Sequence, residues 1–411
     1  MNDSKLEQYA AFMVRSAVNV QKGQTLIINS PIEAASFARL CAEEAYKAGV
    51  YDVVVHYSDE KMARIRMRDA AVEALEEVQP WRLRSYMDYV QTPGGACVLS
   101  ILARDPEIYK GLDTGKIDRA SVALERAMKP WREQTMGNRL QWSIASVPSE
   151  AWAKRVFPGK DADEAQRALW EAIYRVCRVE QGRPEEAWRQ HAKAAALRVK
   201  KLQEMELSAL RLQSENGTDL TVGLAEEYQF AGVEEKTVAG IPFFANVPSE
   251  EVFTAPHKER VEGVVKSSMP YVYNGNLIEG IWARFEKGRA VEYGAEKGED
   301  LLRQMMDTDE GAKHLGEIAL VPASSPVRKT GLLFYNTLFD ENAACHIAFG
   351  AGYPGTVKGG DGMDREQLAQ KGLNDSLIHE DVMVGTEDME ITGLSKSGKE
   401  WPVFQKGEWA F

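Results

Sequence analysis

The chain is expected to be an α/β protein, with an N-terminal domain built on a mostly parallel, helix-covered sheet and a C-terminal α+β domain rich in short strands. Three observations predict this. Short apolar runs alternate with segments of helical periodicity through the first half. Two long amphipathic stretches follow. Beyond about residue 210 the pattern changes to short strands separated by Gly and Asn turns. At 411 residues the chain exceeds one comfortable core, so domains are expected over 1–210 and 211–411.

Taken in order, Thr25-Leu26-Ile27-Ile28-Asn29 reads as a buried strand. A helix follows in which Phe37, Cys41, Ala45 and Ala48 recur on one face, and Gly49 ends it. Asp52 to Tyr57, Cys97 to Leu102 and Leu140 to Ala145 read as further strands. This βαβ rhythm implies parallel pairing under helices. One long helix carries Ala165, Leu169, Ile173 and Val176 on its apolar face; the next carries Trp188, Ala195, Val199 and Leu202. Ala209 to Leu212 and Leu220 to Leu224 flank a turn-rich run, Ser214 to Asp219. Trp282 to Phe285 and Ala290 to Tyr293 flank the hairpin turn Glu286-Lys287-Gly288-Arg289.

Hydrophobic content of 44% and charged content of 27% are those of an ordinary globular protein. No run approaches the roughly 20 apolar residues that cross a bilayer. Met1 to Glu7 lacks a basic flank and an apolar signal core, which argues for the cytoplasm and against secretion. A net charge of −12 disfavours nucleic acid as a partner. An acidic cavity would favour cations, among them metals and a peptide ammonium group, although charge also serves solubility alone. Cys41, Cys97, Cys177 and Cys345 are far apart, so neither a disulfide framework nor a thiolate zinc site is expected.

Four segments carry side chains that plain structure explains poorly. Glu250 and Glu251 lie in a polar loop between Pro248 and Pro256, where adjacent carboxylates repel unless a positive group is near; a solvated turn is the alternative. Glu317 interrupts the apolar strand Leu315 to Val321, and a buried carboxylate needs a metal, an arginine or a raised pKa. An exposed edge position is the weaker alternative. The run from Asn336 to Gly350 reads as a strand end, a cap at Asp340 and a short helix bearing His346, which a satisfied core histidine would also explain. In the strand beginning at His379, Asp381 projects to the same side while Glu380 faces away. That pair is half a metal site or a hydrogen-bonded couple.

Gly350-Ala351-Gly352-Tyr353-Pro354-Gly355 matches the spacing of a dinucleotide fingerprint, but it is expected to follow a helix, and Pro354 lies where a phosphate-binding helix should begin. It reads as a flexible loop presenting Tyr353. His56, His191, His257 and His314 are expected to be structural or exposed, and there is no GxSxG elbow.

Read together, Val247 to Pro256, Leu315-Gly316-Glu317, Asn336 to His346, and Gly372 to Asp381 resemble the aminopeptidase S / aminopeptidase T family, metallopeptidase family twenty-nine. Met87-Asp88-Tyr89, Trp152 to Pro158 and Gly217 to Leu224 extend the resemblance over nearly the whole chain. The resemblance implies a dimer with a dinuclear centre that releases N-terminal residues from peptides by attack of a water shared between the metals. Its metal ligands fall on Glu251, Glu317, His346, His379 and Asp381, with Glu251 chosen over Glu250 because it directly precedes the Val-Phe-Thr run, and its active-site tyrosine falls on Tyr353; Glu250 is left as a candidate general base or supporting partner. Oxygen and imidazole ligands suit two divalent ions of zinc, cobalt, manganese or magnesium. The chain departs from the family pattern at Glu380, where an aliphatic residue is expected. Another two-metal amidohydrolase, or a non-catalytic metal-containing binding protein, is the competing reading.

Overall fold

A computed structural model describes residues 3–180, 182–273 and 275–411. Two compact units emerge, Met1–Gln190 with Glu234–Val247, and His191–Val233 with Pro248–Phe411. The dividing point lies within the helix Pro184–Glu204.

The first unit holds a parallel sheet of Thr25–Pro31, Asp52–Ser58, Ala96–Leu102 and Trp142–Ser146, in the spatial order second, first, third, fourth. The helix Ala35–Ala48 returns the chain from the first strand to the second. It buries Phe37, Ala38, Cys41 and Ala45, and Gly49 stops it with a left-handed backbone (φ 88°). The fourth strand begins two residues later than the sequence pattern suggests. A parallel bridge from Ile144 to Asn246 ties the returning segment to this sheet. Tyr9 stacks on Phe37 and Phe12 on Trp188, with centroids 5.1 and 5.4 Å apart, so aromatic packing anchors the unit.

The second unit is antiparallel, as its short strands and turns predict. Among the described residues, one sheet runs Arg289–Gly294, Trp282–Glu286, Pro256–Lys266, Asp219–Leu224, Leu207–Gln213, Glu390–Ser395, Glu400–Gln405, Glu408–Trp409. A smaller sheet runs His379–Met383, His346–Gly350, Leu315–Leu320, Val252–Thr254. Phe285 of the larger sheet stacks on Phe349 of the smaller at 6.0 Å. The smaller sheet thus turns one face into the core, and its other face is free to carry polar groups.

Two local expectations are corrected. His346 opens a strand, not a helix. The preceding helix is only Thr337–Asp340, capped by Asn336, whose side chain accepts from the Leu338 N–H. Asp340 instead folds back to accept from the N–H groups of Phe334 and Asn336 at 2.8 and 3.0 Å. The glycine-rich segment therefore follows a strand. What comes after Tyr353 is only the single 3-10 turn Pro354–Thr356, so the helix a dinucleotide site requires is still missing there.

Candidate metal centre

Strand register assembles the site. Directly paired residues of an antiparallel sheet project to the same side. The pairs Gly350 with His379, Ala348 with Asp381, Glu317 with Ala348, Ala319 with His346, and Ala319 with Phe253 put His379, Asp381, His346, Glu317 and Phe253 on one face. Glu251, two residues before Phe253, joins the same side as the chain enters its strand. Ala319 and Ala348 lie among these side chains, and their small size leaves space above the sheet.

Two glycines permit this register. The ladder slips between Leu315 and Glu317, and a Cβ on Gly316 would stand 2.2 Å from the Ala351 carbonyl oxygen. Gly350 adopts φ +106°, and a Cβ there would stand 2.1 Å from the Ile378 carbonyl oxygen.

The donor atoms converge. His346 Nε2 lies 3.1 Å from Glu251 Oε2, 3.5 Å from Glu317 Oε1 and 3.9 Å from Asp381 Oδ1. His379 Nε2 lies 3.6 Å from Glu317 Oε2 and 3.4 Å from Asp381 Oδ1. Two ligand groups result, Glu251–Glu317–His346 and Glu317–His379–Asp381, each with its donor atoms within 4.8 Å of one another. Glu317 belongs to both, one oxygen facing each histidine.

Both imidazoles are oriented from behind. His346 Nδ1 lies 2.9 Å from the Glu341 carbonyl oxygen, and His379 Nδ1 lies 2.6 Å from that of Ala351. Carbonyls only accept, so Nδ1 carries a proton, and Nε2 is the nitrogen that would turn its lone pair to a bound cation.

The electrostatics fit a cation. Burial, with Glu251 and Asp381 close by, pushes the Glu317 carboxyl up to about 7 despite its bond from His346. Burial would lower the His379 imidazole, but Asp381 and Glu317 override it and raise it to about 10. Burial and the charges of Asp381 and Glu251 also drive Glu341 well above the usual carboxylate range. Asp381 Oδ1 is buried without a hydrogen-bond partner. Clustered carboxylates held this close favour positive charge, and their oxygen and imidazole donors are those of hydrolytic divalent ions.

The other predicted residues lie at the margin. The Tyr353 ring packs 4.7 Å from that of His379 and 6.0 Å from that of Phe253. Desolvation, and then the charges of Glu317 and Asp381, hold its phenol protonated. Glu250 is buried but is in neither converging group. Its N–H donates to Asn342 Oδ1 at 2.6 Å, and its Oε2 lies 3.7 Å from His191 Nε2. His191 is thus a neighbour of the site that sequence reasoning passed over; its Nε2 also lies 2.7 Å from the Ser249 carbonyl oxygen. Glu341 and Asn342 were also missed. Their only sequence signal is a polar run, Asp340-Glu341-Asn342, ahead of His346. Glu380 faces away from the centre, as expected, and accepts a hydrogen bond from the Tyr271 hydroxyl.

The chain is similar over its whole length to known aminopeptidases. Aminopeptidase T of Thermus thermophilus is 44% identical over 98% of both chains, and aminopeptidase AmpS of Bacillus subtilis is 40% identical over 99% of this chain and 98% of its own. The solved structure of wild-type AmpT from Thermus thermophilus superposes with a TM-score of 0.93 at 43% identity, covering 100% of both chains. The family model described as thermophilic metalloprotease (M29) matches residues 2–409, and the chain belongs to that family.

Proposed function

We propose that this metalloprotease is a two-metal aminopeptidase, removing N-terminal residues from peptides, with Glu251, Glu317, His346, His379 and Asp381 as its ligands. The sharing of Glu317 between two donor groups is the observation that carries the reading, because a carboxylate with one oxygen toward each histidine could serve two adjacent ions. Family membership and aminopeptidase relatives support the activity. Zinc, cobalt, manganese or magnesium suits the donors.

When bound, the ions supply positive charge that acidifies water and polarises the scissile carbonyl. The chain does the rest. Carbonyl acceptors behind both imidazoles hold the proton at Nδ1 and aim Nε2 at the centre. The Tyr353 phenol keeps its proton and donates it as a hydrogen bond to the developing oxyanion. Glu250, held through its amide and beside His191, is the proton acceptor at its carboxylate. Catalysis belongs to the C-terminal domain, 211–411, and the N-terminal domain, 1–210, serves a homodimer. A cytoplasmic location accords with the sequence, and among the described residues no helix is long and apolar enough to cross a membrane.

Chromophore release from an unblocked leucine anilide, run beside its acetyl-blocked form, tests this. Cleavage of the unblocked compound alone, lost to chelator and restored by zinc or cobalt, is expected. Cleavage of the blocked compound instead would point to a different amidohydrolase. No cleavage by folded, metal-loaded protein would leave a binding protein.

A further inference from the structure

We infer that the first unit holds a ligand site of its own, a pocket for the phosphate group of a small molecule, at the carboxyl edge of its parallel sheet. The pocket has a volume of about 520 Å³, and its charged lining is Arg64, Asp105, Glu107, Lys110, Lys154 and Arg155. That volume lies within the roughly 300–1,000 Å³ of small-molecule sites. Every lining residue belongs to Met1–Gln190, and none belongs to the donor groups of the metal centre.

Topology puts the pocket there. The four strands run parallel, so their carboxyl ends share one edge. Arg64 lies on the helix Glu60–Asp69, which follows the second strand. Asp105, Glu107 and Lys110 lie in the segment that leaves the third, and Lys154 and Arg155 on the helix Glu150–Val156 that leaves the fourth. The chain steps outward from the first strand to the second, then crosses to the first strand's other side to form the third. Connections diverge at such a switch point and open the crevice in which α/β sheets bind ligands. Arg64 joins the two sides, donating to the Ile108 carbonyl oxygen and, at 3.1 Å, to that of Lys110. The segment Trp152 to Pro158, which the metal centre leaves without a role, supplies two of the cations.

The charges favour a dianion. Four cations line the pocket against two carboxylates, and both carboxylates are engaged. Glu107 Oε1 lies 3.0 Å from Lys110 Nζ and 3.7 Å from Arg155 Nη1, and Asp105 Oδ1 accepts from the Glu107 N–H at 2.9 Å. Glu60, which accepts from the Asp105 N–H at 2.9 Å, has the charge of Arg104 to oppose it. Among the described residues Arg64 and Lys154 bond to backbone carbonyls instead, Lys154 Nζ donating to that of Lys160 at 3.0 Å. A carbonyl satisfies a donor without cancelling its charge. Positive charge is therefore in excess here, in a chain whose net charge is −12. A phosphate group carries about −1.5 to −2 near neutral pH and presents three acceptor oxygens on one atom. Guanidinium and ammonium groups arriving from three segments match that shape, and the arginine fork binds it in pairs of hydrogen bonds.

Titration calorimetry of the full chain at fixed ionic strength, with glycerol phosphate, inorganic phosphate and succinate, tests the site. It is run on the metal-loaded protein and again after chelation, so that an anion held by the ions is told apart from one held by the pocket. Saturable binding of both phosphates is expected in either form, with succinate, whose two charges lie apart, weaker. Lys154→Glu and Arg64→Gln should each weaken phosphate binding by about 10- to 100-fold. Lys154 is exposed, so Lys154→Glu keeps its fold even where Arg64→Gln, which loses two carbonyl contacts, lowers the melting temperature. Tighter binding of glycerol phosphate assigns the site to a phosphorylated metabolite, and tighter binding of inorganic phosphate assigns it to the free ion; both support it. Absence of saturable binding, unchanged affinity in Lys154→Glu, succinate bound as tightly as phosphate, or binding lost on chelation would each overturn the inference.

Discussion

The N–H of Glu250 donates to Oδ1 of Asn342 across 92 positions of sequence, at 2.6 Å. Asn342 is fully buried, and its Nδ2 donates to the Leu338 carbonyl oxygen at 2.9 Å. The residue before it, Glu341, supplies the carbonyl that orients His346. One turn therefore sets both the Glu250–Glu251 loop and the His346 ring. Asn342→Ala should orphan a buried N–H at a cost of about 1–3 kcal/mol. It should also weaken metal binding by about 10- to 100-fold, the usual effect of losing a group that orients ligands. Titration calorimetry with zinc checks this. Unaltered affinity alongside a lowered melting temperature would reduce Asn342 to a role in folding.

His379 closes the second donor group, with Nε2 within 3.6 Å of both Glu317 and Asp381. His379→Ala should leave Glu251, Glu317 and His346 intact, so on the two-metal reading metal content should fall by about one ion per chain. Turnover should fall together with occupancy. Elemental analysis after dialysis reads the stoichiometry, and normal occupancy with normal turnover would remove His379 from the centre.

The parts of the site visible in the sequence are those whose signal is local. Glu317 stands out because a carboxylate within an apolar strand must be compensated. His379 and Asp381 are joined by strand alternation alone. His346 was misread because Ala343, Ala344 and Ala348 surround it, and alanine favours helix by intrinsic propensity. In the fold Ala348 faces the donor groups, where its small side chain leaves room, and pairing on both edges makes the segment a strand. His191 left no trace because its partners, Ser249 and Glu250, are nearly sixty positions away. Long-range pairing of that kind cannot be read from periodicity. The parallel N-terminal sheet could be, since each of its strands is a short apolar run beside a helix.

Tyr353→Phe removes one hydroxyl and keeps the ring contacts to His379 and Phe253. If the phenol bonds to the developing oxyanion, kcat should fall about 10²- to 10³-fold, with KM and metal content little changed. Steady-state kinetics on the leucine anilide checks this. A fully active variant would exclude the hydroxyl from the reaction.

Glu380 sits opposite the donor face, paired with Phe349 across the sheet and accepting a hydrogen bond from Tyr271. Burial raises its carboxyl to about 7; the Tyr271 bond offsets this in part and the nearby Asp381 charge adds to it. An unfolded glutamate titrates near 4.3. The folded chain therefore holds an extra proton between these values, and stability is greatest below the lower one. It declines as pH rises through the window, because the folded state must then ionise a buried group or keep its proton against the solution. Glutamine can still accept from Tyr271 but cannot ionise. Glu380→Gln should match the wild type near pH 4 and exceed it by about 1–3 kcal/mol at pH 8. Urea unfolding of both metal-free proteins at the two pH values measures the difference. Parallel loss of stability in both would mean that another buried group sets the pH dependence.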